Sequence, residues 1–221
     1  MPDRLLTAAL AGSAAASAAT AGPTETALAV LDPPPWHWVV HTDSLELYAG
    51  AGDRLALVRA GGAVHHVKVA LAADGMAAHI SLLPEPFIDP GHLARVTVSR
   101  RVAVTPEAMA RFEATEPGHP VTELPPRRAV DTLVRAAADV EGMAVRLAPE
   151  SGGWAGVLHG AEDTARAWLR AGEALAAMVL AGNRYGLAIA ATEADPTDPE
   201  ARPLFDDVTQ PYLTLHVTPA G

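Results

Sequence analysis

The sequence predicts a mixed chain of helices and strands made of two structurally similar halves packed about a pseudo-two-fold axis. Three observations predict it. A long helix running into a strand, RAGEALAAMVLAGNRYGLAIAATEADP from Arg170 to Pro196, has an echo in RAGGAVHHVKVALAADGMAAHISLLPEP from Arg59 to Pro86. The two align without gaps at an offset of 111 residues, half of the 221-residue chain. Identities at Arg59/Arg170, Ala60/Ala171, Gly61/Gly172, Ala63/Ala174, Ala70/Ala181, Gly75/Gly186 and Ala77/Ala188 hold the register. In each copy an Ala- and Gly-rich helix ends at a glycine suited to the left-handed residue after a helix, and a short apolar strand follows. Such a chain packs as a homodimer would if its subunits were fused. We therefore read residues 1–221 as one domain, with half one about 1–100 and half two about 101–221.

Taken in order, MPDRLLTAALAGSAAASAATAG has the outline of a secretory signal peptide: a basic residue, an apolar run and small residues ending at Ala21. Its run is mostly Ala, and Asp3 sits where positive charge is expected. An Ala-rich first helix is the expectation, with no transmembrane span. Prolines 33 to 35 make a stiff extended loop that delivers Trp36 to a defined place. WHWVV, a turn at His41-Thr42-Asp43 and LELYA read as a hairpin. Gly50-Ala51-Gly52 begins like a dinucleotide fingerprint, but Leu55 takes the third glycine's place and a hairpin precedes it, so a plain turn is expected. Asp53 can cap the helix of the first copy.

A strand is expected near Ala94 to Ser99, a short helix from Thr105-Pro106-Glu107, and a loop through Glu116, Pro117, Gly118, His119 and Pro120. Pro125 and Pro126 open a helix, RRAVDTLVRAAADVE, that Gly142 stops. MAVRLAP reads as a strand and ESGGWAGVLHG as a loop. The second-copy helix begins near Glu162 and Asp163, acids suited to a positive helix end. An acidic, Pro-rich connection, a helical turn near Leu204 to Asp207 and a last strand, PYLTLHV, finish the chain.

Composition narrows the function. Against 26 Asp and Glu stand 16 Lys and Arg, a net charge of −10, and no basic stripe runs along any segment. A surface built on phosphate contacts to nucleic acid is therefore not expected. The chain has no cysteine, which removes disulfides, thiolate catalysis and Cys-ligated metal sites and suits a reducing cytoplasm. His65 and His66 are adjacent on a helix and diverge by about 100°, and His37 and His41 lie roughly 13 Å apart along a strand, so neither pair is expected to hold a metal. Trp36, Trp38, Trp154 and Trp168 read as core or pocket-wall residues. Gly61, Gly172, Ala176 and Gly182 read as positions of close helix packing at the pseudo-two-fold seam. Ser151 beside two glycines reads as a loop, and no G-x-S-x-G elbow is present.

Several segments together, in order, carry a resemblance. Pro35-Trp36-His37-Trp38, GGAVHHVKVALAADG, PEAMARFEAT, AVDTLVRAAADVEGMAVRL, DTARAWLRAGEALAAMVLAGNRYGLA and QPYLTLHV resemble the long, internally duplicated Acg-type branch of the nitroreductase family. The chain is shorter than that branch before its second copy. The resemblance implies an α+β fold with a central, mainly antiparallel sheet flanked by helices, and an FMN bound where two halves or subunits meet. It also implies reduction of nitroaromatics, quinones or flavins by NAD(P)H.

The residues at the flavin positions depart from the family. Where its loop reads Pro-Ser-x-His-Asn-x-Gln-Pro-Trp, this chain keeps Pro35 and Trp36 but has Pro34 for Gln, Asp32 for Asn, Leu31 for His and Ala29 for Ser. An amide can both donate to a flavin carbonyl and accept from the ring N–H, whereas proline and leucine do neither. Asp32 can accept from that N–H, but its charge opposes the anionic reduced flavin. Where the family carries an Arg cluster for the phosphate, residues 116–121 read Glu-Pro-Gly-His-Pro-Val, leaving Arg127 and Arg128 as replacements.

The cofactor-contact candidates are therefore Asp32, Pro35, Trp36, Arg127 and Arg128, with FMN binding expected to be weakened or lost. Asp32, His37 and His119 are the candidate acids or bases. Three readings stay open: an altered flavin oxidoreductase, a flavin-free protein binding a small molecule in the crevice between its halves, and a noncatalytic partner of a flavin-bearing relative. The chain is expected to work as a monomer or homodimer.

Overall fold

Alternating apolar and polar residues in WHWVV and SLELYA make the hairpin that opens the described fold, β1 (Trp36–Val40) and β2 (Ser44–Ala49), with Trp36 opposite Ala49 and Val40 opposite Leu45. The computed structural model describes residues 7, 36–50, 53–115, 127–195, 197, 204–205 and 208–220. Asp53 accepts from the Ala56 amide at 2.7 Å and so caps α1 (Arg54–Ala73). Gly75, at φ 69°, turns the chain out of α1 into β3 (Met76–Leu82), and β4 (His92–Arg101) lies between β3 and β2.

Thr105 caps the short α2 (Pro106–Glu113), which has Pro106 in its first turn. Next comes α3 (Arg127–Ala138), whose Ala129, Leu133 and Ala137 recur every four residues and are buried. The second half then repeats the plan of the first with β5 (Ala144–Glu150), β6 (Gly153–Gly160), α4 (Ala165–Asn183), β7 (Leu187–Glu193) and β8 (Gln210–Pro219). Gly186, at φ 64°, makes the same turn as Gly75.

The fold is α+β, and its antiparallel strands form two four-stranded sheets, β1-β2-β4-β3 and β5-β6-β8-β7, rather than one central sheet. The strand order is the same in both. Even the register break recurs at the matching place, between Leu47 and Tyr48 in one sheet and between Leu158 and His159 in the other. The segment expected as a loop, ESGGWAGVLHG, is the second strand of a hairpin. Ser151 and Gly152 are its two-residue turn, and Glu150 pairs with Gly153 across it. Glycines suggested a loop, but a Cβ on Gly156 would meet the Leu147 side chain and the Arg146 carbonyl, so glycine serves strand packing there.

Each sheet buries one face against its own long helix, and the two helices join the cores. A Cβ added to Gly61 would overlap the Leu169 carbonyl, and one added to Gly172 would overlap that of Val58. Leu169 lies 111 residues after Val58, so the two contacts are the same contact seen from either half. On either side of this crossing, Arg54 at the start of α1 pairs with Asp163 just before α4, and Val69 near the end of α1 clusters with Leu180 near the end of α4, so the two helices run in the same direction. Leu169 packs into the core of the first half beside Ala60, Val64 and Leu47, and Val58 packs into the core of the second beside Trp168 and Leu175. Among the described residues α1 is the one helix long and apolar enough to cross a membrane, and 61% of that stretch is buried inside the fold.

Replacing Gly61 or Gly172 with Ala should destabilise the protein by about 3 kcal/mol, the upper part of the range for overpacking. At Gly182, where the nearest atom to an added Cβ is an ordinary 3.5 Å away, Ala should be neutral or stabilise by roughly 0.5–1 kcal/mol through helix propensity. Urea unfolding of the three variants checks the contrast. Equal effects at all three positions would mean that the helix backbones do not touch at the seam.

Candidate functional site

Asp32, Pro35 and His119 lie outside the described residues. Trp36 is 4% exposed and belongs to the core of the first half, where its indole N–H has no partner among the described residues. His37, next to it on β1, is exposed and stacks on Tyr48 at 5.6 Å, which stacks in turn on His92 at 4.6 Å. The Tyr48 hydroxyl donates to Glu46 at 2.7 Å and Arg95 donates to the same carboxylate at 2.8 Å. Burial would push the Glu46 carboxyl up, but these two hydrogen bonds outweigh it and hold the group below its ordinary value. His37 thus joins a ring stack tied to an ion-paired strand surface. Arg127 opens α3, and Arg128 is exposed on its first turn, where its carbonyl accepts from the Thr132 hydroxyl at 2.8 Å.

A concave feature among the described residues lies elsewhere. Between the halves runs a crevice of ≈ 670 Å³, walled by α1, α3 and α4 and closed at its margins by α2 and the end of β3. That volume falls within the usual range for small-molecule sites. Its charged lining comprises Lys68, Arg111, Arg135, Arg166, Arg170 and Arg184 against Glu107, Asp139, Glu141 and Glu173. On α4 the residues Arg166, Arg170, Glu173 and Ala177 are spaced four, three and four apart, which puts them in one row along the helix.

Some of these charges are already paired. Arg170 meets Glu141 at 2.5 Å, and Glu107 takes Arg111 at 3.1 Å and Arg184 at 3.5 Å. Lys68, Arg135 and Arg166 have no salt bridge with another described residue. His65 of α1 reaches the crevice while 7% exposed, and its ring stands nearly perpendicular to that of His66, whose Nδ1 lies 2.9 Å from the Gly62 carbonyl. Burial, helped by His66, Lys68 and Arg111, pushes the His65 imidazole down to about 3, so it is neutral at physiological pH. Burial moves Glu173 the other way, up from the ordinary carboxylate value, although Lys68 and Arg170 oppose it.

Periodicity placed His65, His66 and Glu173 on helices but carried no signal that α3 would lie against them and wall a crevice. The signal was the run of cations at helical spacing on α4, Arg166 and Arg170, with Arg135 on the preceding helix. Among the described residues no group of three or more His, Asp or Glu is arranged to hold a metal ion. No protein-family model matches the chain, and no curated protein matches it.

The depressed His65 imidazole gives the fold an acid sensitivity. The unfolded chain binds that proton more tightly than the folded one, so the stabilisation is fully present above about pH 6.5 and is lost as pH falls toward about 3. The loss should be on the order of 3 kcal/mol by pH 4. A His65→Gln variant should show a shallower slope of unfolding free energy against pH across that interval. An unchanged slope would place the sensitivity in other groups.

Proposed function

We propose that this chain is a flavin-free protein that binds a small organic anion, best a phosphate monoester, in the crevice between two nitroreductase-like halves. One observation carries the reading: in a chain of net charge −10, the crevice lining has six cations against four carboxylates, one of which burial drives toward neutrality. Lys68, Arg135 and Arg166 are open to a ligand, and guanidinium groups suit the oxygens of a phosphate. The pairing of α1 with α4 within one chain favours a monomer, and the acidic, cysteine-free composition favours a cytoplasmic setting.

An FMN-dependent oxidoreductase, the activity the resemblance implies, has less support. Of the contacts it assigns, Trp36 belongs to the core, Arg128 lies on the exposed first turn of α3, and neither lines the crevice. Neither of these two residues lends support to a flavin at the inherited positions.

Two measurements test the reading. The purified protein, incubated with excess FMN and desalted, should show no visible flavin absorption. Calorimetric titration should show saturable binding of inorganic phosphate that weakens with salt, and an Arg135→Ala, Arg166→Ala double variant should bind it about tenfold or more weakly. Retained flavin bands would restore the oxidoreductase reading, and failure to bind phosphate would remove the anion site.

A further inference from the structure

The short helix α2 closes one margin of the crevice yet is scarcely built into the fold. None of its residues is buried, and only Ala108 and Ala110 are even half-buried. Much of its inward face borders space: between α1 and α2 lies a second cavity of ≈ 240 Å³, lined by Val69 and Ala72 of one helix and Ala108 of the other. His65, Lys68, Glu107 and Arg111 line both this cavity and the crevice, so the two spaces adjoin beneath α2.

Two neighbouring residues at the end of α4 hold the helix. At its far end the Asn183 amide donates to the Ala114 carbonyl at 2.8 Å, and Ala114 is itself buried in a cluster with Val69 and Leu180. At its start Glu107 pairs with Arg184 at 3.5 Å. The far attachment therefore combines apolar burial with a hydrogen bond. The near one is an ion pair between exposed side chains, which biases an equilibrium by about fivefold at most. Residues 102–105, which lead into α2, are exposed and lie in neither helix nor strand. Glu107 also takes Arg111 at 3.1 Å, so one carboxylate of α2 occupies two of the crevice's cations. An anion in the crevice competes with that carboxylate for the same guanidinium groups.

We propose that α2 is a gate on the crevice, anchored at Ala114 and latched by Glu107 on Arg184, and that a bound anion opens the latch by taking Arg184 from Glu107. This rests on the anion-binding reading and adds a conformational step to it. Glu107 is then an internal competitor: without ligand it shields two cations, and a ligand that displaces it frees the start of α2 and uncovers the cavity beneath.

The chain has no cysteine, so a single introduced thiol reports the opening. Val69 is 4% exposed and lines the cavity beneath α2, and Val69→Cys should react slowly with the neutral reagent iodoacetamide. Ala72→Cys, on the same cavity, serves if that variant does not fold. Saturating inorganic phosphate should speed the alkylation about two- to fivefold. Arg184→Ala in the same background should speed it as much without phosphate, and phosphate should then add nothing. The sign is diagnostic, because a ligand that merely stabilised the fold would slow the reaction. Phosphate that binds by calorimetry but leaves the rate unchanged or lowers it, or an Arg184→Ala rate equal to its parent's, would overturn the gate while the anion site stands. Failure of phosphate to bind removes the anion-binding reading itself, and the release step falls with it.

Discussion

Two helix backbones in van der Waals contact organise this molecule. At the crossing of α1 and α4 a side chain as small as alanine overlaps a carbonyl of the opposite helix, at Gly61 and again at Gly172. Glycine inside a helix costs about 1 kcal/mol relative to alanine. The return is that Leu169 and Val58 each enter the other half's core, where both are essentially excluded from water. Burying one such side chain stabilises by about 1.5–3 kcal/mol, so the exchange of two outweighs the two glycines. Neither sheet has a helix layer on its own account that excludes the other half, and the seam is therefore part of both cores.

Parallel helices bring their positive ends together, and that end is where the chain puts acid. Asp53 caps α1, and Asp163, just before α4, accepts from the Trp168 indole at 2.7 Å and pairs with Arg54. Arg54 also lies over the Trp168 ring, 5.1 Å from its centroid, and Trp168 meets Tyr212 edge-on at 4.9 Å. The carboxylates offset two aligned helix dipoles, and Arg54 ties the start of one helix to the start of the other. Arg166 and Arg170 follow within the next turns on the crevice side. The acids at the helix starts are thus followed, within two turns of α4, by cations that line the crevice.

The duplication was legible because it lives in sequence: two glycines and a leading arginine keep register over a gap-free alignment, and the structure repeats strand order, turn glycines and register break at the same offset. The division into two sheets was not legible, because strand pairing between distant segments leaves no local pattern. The β6 strand was missed for a local reason: its glycines imitate turn chemistry, and only the close approach of Leu147 and Val217 explains them. The site was least legible. Trp36 was singled out from its proline-rich approach, but an indole large enough to wall a pocket is also large enough to anchor a core, and sequence does not distinguish the two.

The two copies also indicate why charge gathers on one side of the helix pair. Residues that match between them, such as Ala60 with Ala171, Gly61 with Gly172 and Ala63 with Ala174, are buried at or near the seam. Along the crevice row of α4 the match mostly fails. Opposite Arg166, Glu173, Ala177 and Arg184, the first copy has Leu55, Gly62, His66 and Ala73. The α1 row is nearly without charge, and its histidine turns its Nδ1 to the Gly62 carbonyl of its own helix. A symmetric pair of helices offers two equivalent grooves by geometry alone, and in this chain the two differ in charge. Shared residues therefore lie mostly at the seam, while most residues of the crevice row are ones by which the copies differ. Arg170, matched by Arg59, and Ala181, matched by Ala70, belong to both sets, and on the α4 side Arg170 is held by Glu141.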